Sequence, residues 1–78
     1  MRIFAIVLNP ESQIEEKFEI LDSNFLPVTN SVIILKKGND VTRASVVKTE
    51  SVLERTGENA DYIFNVFIKI FPPEENVN

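Results

Sequence analysis

Two groups of residues in this chain could do chemistry: the carboxylates around "LNPES" and the cations between positions 36 and 48. Glu11, Glu15, Glu16, Glu19 and Asp22 crowd one short stretch, with only Lys17 against them. Just ahead stand Asn9 and Pro10, where an apolar run from Ile3 to Leu8 stops. A general acid or base needs surroundings that shift its pKa, and nothing in this pattern implies burial. These carboxylates therefore read as a solvated face, and Asn9 before Pro10 reads as a cap rather than a ligand. With no histidine and no cysteine, imidazole catalysis, thiolate nucleophiles, Cys/His zinc sites and disulfides are excluded. Ser12, Ser31, Ser45 and Ser51 lack any histidine to activate them. Gly38 and Gly57, the only glycines, build no phosphate-cradling loop. We expect no catalytic residue, no metal ligand and no cofactor.

Lys36, Lys37, Arg43 and Lys48 are the candidate nucleic-acid contacts. Such a cluster would hold a phosphate backbone through salt-sensitive contacts. No aromatic residue interleaves it in sequence, however, and Phe4 and Phe25 are assigned to the core. The net charge of −4 and pI of about 4.7 also run against a dedicated nucleic-acid binder. Nucleic acid is thus ranked below protein as a partner.

The elements that must position these residues follow from hydrophobic patterning. Residues 2–8 are apolar on both alternations, which predicts a strand buried on both faces. Beyond it a helix is expected, capped by Asn9 with Pro10 in its first turn, or by Ser12 with Glu15 closing a capping box. Ile14, Phe18 and Leu21 would form its apolar stripe, and Asp22-Ser23-Asn24 its end. A short strand from Phe25 to Val28 follows, demoted to a sheet edge by Pro27. Thr29-Asn30 then turns the chain into a strand from Ser31 to Lys36. Residues 41–55 are ambiguous. Val46, Thr49 and Leu53 share a helical face and Gly57 suits a helix stop, so helix is preferred. The alternative is a strand, with a hairpin around Gly38-Asn39. The segment "DYIFNVFIKIF" predicts a long final strand ended by Pro72-Pro73.

The predicted order is β-α-β-β-α-β, a ferredoxin-like α+β domain: a four-stranded antiparallel sheet with both helices on one face. Residues 1–72 form the single domain and 73–78 a flexible tail. On "FAIVLN", "PVTNSVIIL" and "ENADYIFNVFI", the chain resembles small ferredoxin-like proteins related to the CRISPR-associated adaptation nuclease and to virulence-associated protein D. In the nucleases of that group, the resemblance implies an aspartate at the end of the first strand that binds metal across a dimer axis. Here the matching place is Leu8-Asn9, and a neutral amide is a poor ligand for a hard divalent cation. The resemblance also implies a bacterial or phage setting near defence systems.

In that layout the sheet face carrying Ile63, Phe67 and Phe71 has no cover of its own. These three are the candidate interface, and sheet-to-sheet homodimerisation is the expected way to bury them. No segment reaches the ~20 apolar residues of a membrane-spanning helix, and the apolar start lacks the cleavage site of a signal peptide. The expectation is a cytoplasmic, non-catalytic regulatory or inhibitory interaction module that binds itself and an unidentified protein. The alternatives are a metal-dependent endoribonuclease and a nucleic-acid-binding accessory protein.

Overall fold

A computed structural model describes residues 1–22 and 26–75. Five strands succeed one another along the chain: β1 Arg2–Leu8, β2 Ile14–Ile20, β3 Val32–Lys37, β4 Asp40–Thr56 and β5 Asn59–Ile70. A 3-10 turn, Pro73–Glu75, follows. They form one sheet in the order β2-β1-β5-β4-β3, curled into a half-barrel. All neighbours are antiparallel except β1 and β5, which run parallel from Arg2 opposite Ile63 to Leu8 opposite Lys69.

This overturns the ferredoxin-like α+β expectation, since the described residues contain no α-helix. The first expected helix is β2. Its sequence satisfies two periods: Ile14 and Phe18 share a helical face with Leu21, yet Ile14, Phe18 and Ile20 also alternate along a strand. The strand prevails because β1 needs a partner on its free edge, and β2 supplies one through a tight return. Asn9 organises that return. Its Oδ1 accepts from the backbone N–H of Glu11 at 3.0 Å and of Gln13 at 2.9 Å. It does cap, but it caps a loop. The positive φ of Ser12, 68°, completes the bend.

The second expected helix is β4, the alternative hairpin reading of residues 41–55. Gly38, at φ 62°, starts the two-residue turn from β3, and Gly57, also at 62°, starts the turn into β5. Glycine at the first central position is what such hairpin turns need. The expected strand at residues 25–28 falls partly outside the described residues, and 26–28 pair with no neighbour in a ladder.

The core lies on the concave face. Ile3 and Ala5 of β1, Val66 and Ile68 of β5, and Ala44 and Val46 of β4 are buried together there. The connection from β2 to β3 joins opposite edges of the sheet, and Leu26 within it packs on this cluster. Its end is pinned to β4: Asn30 donates to the Val46 carbonyl at 2.7 Å, and the Val46 N–H donates to Ser31 at 3.0 Å. Beyond this point β4 is the edge of the sheet, and its hairpin with β5 extends as an arm that β1 flanks only as far as Ile63. Residues 53–56 and 59–62 form a two-stranded tip, and the envelope is elongated, 50 × 24 × 20 Å.

Candidate nucleic-acid interface

The convex face is built by the other alternation of each strand, and a bulge decides its composition. Along β4 the pairing with β5 slips between Val46 and Lys48, with Val47 as the extra residue. Arg43 has odd parity and Lys48 even, so a regular strand would place them on opposite faces. The bulge brings both to the convex side.

Three adjacent rows result. The first reads Lys17, Ile6, Phe67, Lys48 across β2, β1, β5 and β4. The next reads Leu8, Lys69, Ser45, Val32 across β1, β5, β4 and β3. The third holds Phe71, Arg43 and Ile34, with the Phe71 N–H donating to the Arg43 carbonyl at 3.0 Å. The register places no carboxylate in these rows. Acidic side chains on this face, Glu19, Glu50, Glu54 and Asp61, stand in the rows toward the arm.

The cations sit over aromatic rings. Lys48 Nζ lies 4.5 Å from the Phe67 ring centre, and the Arg43 guanidinium carbon 5.7 Å from that of Phe71. Phe4, one row toward the arm, has Arg2 and Lys17 each at 5.0 Å. Such contacts hold a cation on an exposed surface and contribute about 0.5–1 kcal/mol each there. The long stems shield apolar side chains as well: Ile6 is only 7% exposed although no described element packs over this face. Arg2 also pairs with Glu19 at 3.2 Å. That hydrogen bond holds the Glu19 carboxyl below the usual carboxylate range.

The sequence-predicted residues divide between two places. Ile63, Phe67 and Phe71 do share one face of β5 and are half-buried. Arg43 and Lys48 join them, and Lys36 follows Ile34 on the same alternation while Lys37 faces the other side; both lysines border a cleft of about 450 Å³ at the mouth of the half-barrel. Val7, Phe18, Leu35 and Ile70 also line that cleft, with Glu15 and Glu16 across from the two lysines. Arg2, Lys17 and Lys69 belong to the convex face and were missed; strand pairing alone places them there. The interleaving of cations with aromatics, absent along the sequence, exists across the strands.

Asn65 is the misfit on this face. Its Nδ2 donates to Glu50 at 3.4 Å, but its Oδ1 is buried without a donor. Among the described residues no three acidic side chains gather where they could hold a metal ion. No described helix is long and apolar enough to cross a membrane. Comparison of the chain with protein-family models, with curated proteins and with solved structures finds no match.

Proposed function

We propose that the protein binds single-stranded nucleic acid on its convex face and does not cleave it. The reading rests on one observation: Lys17, Lys48, Lys69 and Arg43 stand in three rows whose strand-paired residues include no carboxylate, with Phe67 and Phe71 among them. Cations at strand spacing match a phosphate backbone, and half-buried rings beneath movable side chains offer bases a stacking surface. The acidic total does not oppose this, because the carboxylates on this face lie toward the arm and Glu15 and Glu16 line the cleft. The same charges argue for an anionic partner over a second copy on this face. Two such faces pressed together would set cation against cation and strip both of water.

Metal-dependent cleavage gains no support from the residue that the sequence resemblance points to. Asn9 spends its side-chain oxygen on two backbone N–H groups of its own loop.

The test is fluorescence anisotropy with labelled oligothymidylate and oligouridylate. With four cations engaged, affinity should fall about fifty-fold between 50 and 200 mM salt. No binding at the lower salt, or binding indifferent to salt, overturns the proposal. Cleavage of the oligonucleotide by the pure protein in Mg²⁺ or Mn²⁺ would instead support the nuclease reading.

A further inference from the structure

The arm poses a problem that the half-barrel does not. From Lys48 to Thr56, β4 pairs with β5 on one side and has no described strand on the other. That is a free edge about 30 Å long. A long bare edge invites pairing, and past Ile63, where β1 ends, the ribbon is only two strands wide and marginal in water. Apolar side chains crowd both faces of this one: Val52 is 38% exposed, Leu53 53% and Tyr62 50%.

We infer that the arm is a dimerisation element, in which the β4 edges of two copies pair antiparallel about a twofold axis at Ser51. The sequence of the edge selects that register. A twofold perpendicular to the ribbon keeps each face on its own side, so only residues of equal parity can lie opposite one another. Centring on Ser51 sets Lys48 beside the partner's Glu54, twice by symmetry, on the convex side. On the other side it sets Leu53 beside the partner's Thr49. Within one chain Leu53 neighbours Tyr62, and Thr49 neighbours the buried Val66. The dimer therefore extends the apolar face of one arm into the core strip of the other. The competing long registers are poorer. Centring on Val52 opposes Glu50 to the partner's Glu54, and centring on Leu53 pairs no opposite charges.

Sedimentation velocity over a concentration series tests this, with no nucleic acid present. The wild-type chain should show a reversible monomer–dimer equilibrium. Glu54→Lys replaces both attractive pairs by repulsive ones and should weaken the dimer about tenfold or more. Adding Lys48→Glu to it restores opposite charges in the same register and should restore the dimer. Glu58→Lys, the same charge change at the hairpin turn and outside the pairing, should leave it intact. A wild-type chain that stays monomeric throughout overturns the inference. So does a dimer indifferent to Glu54→Lys, or a charge exchange that fails to rescue.

Discussion

One strand, β4, runs through two environments that differ only in their neighbours. Below the bulge, Ala44 and Val46 are fully buried; above it, no side chain from Val47 to Thr56 is. Both halves have the same partner, β5, and similar β-branched composition. What the lower half adds is a third strand, β3, and the connection carrying Leu26. Burial in this molecule therefore comes from the layers around a strand pair and not from the pair itself. Only the tip of the arm, past Ile63 where β1 ends, shows what a hairpin is worth alone.

The comparison can be broken or sharpened by substitution. The largest effect is expected from Ile68→Ala, which empties a place in the core cluster and should cost about 3 kcal/mol. Thermal unfolding would register this as a Tm lower by roughly 12–24 °C. Leu53→Ala in the arm, measured on dilute protein, should stay within about 0.5 kcal/mol. Comparable losses at the two sites would mean that the arm is as cooperative as the body. Next comes the double reversal Arg43→Glu with Lys48→Glu, one residue on each side of the bulge. It should lower oligonucleotide affinity about tenfold or more while leaving the folded circular dichroism spectrum unchanged. A smaller gain should come from Asn65→Val at the seam of body and arm. Removing the orphaned oxygen and adding a strand-favouring side chain should raise stability by about 1 kcal/mol in chemical denaturation.

The smallest effect is a pH dependence confined to the body. Glu19 is held below its ordinary pKa by its hydrogen bond to Arg2. A carboxyl depressed in the folded state stabilises it above the unfolded pKa, and loses that contribution as pH falls through the folded value. Both groups are at the surface, so the change should be slight. Titrating stability from neutral into the acid range, with Arg2→Ala as the reference, should show this component vanish in the variant.

Three strands were legible in the sequence. β1, β3 and β5 are dense runs of Ile, Val and Phe, and Pro72 marks the end of the last. β2 was not, because "IEEKFEI" serves a helix and an edge strand equally well, and what decided it was a free edge on β1 that no local pattern reports. β4 was misread for a related reason: Val46, Thr49 and Leu53 match a helical face only if the chain is regular, and the bulge at Val47 breaks the alternation that would have shown a strand. The same irregularity hid the candidate site. The Ile63, Phe67 and Phe71 face could be read by alternation within β5. The cations above the rings could not, since Lys48 and Arg43 reach them from another strand, across a register that only the folded sheet defines.

The parallel pairing of β1 with β5 also bears on how the chain is made. Of these five strands the earliest made waits for the latest, because Arg2 through Leu8 find their second neighbour only at Ile63 to Lys69. Until then the tract from Ile3 to Leu8 has one flank bare, a target for chaperones and for other nascent chains. A product truncated before Asn59 would keep that flank bare for good, and should collect in inclusion bodies.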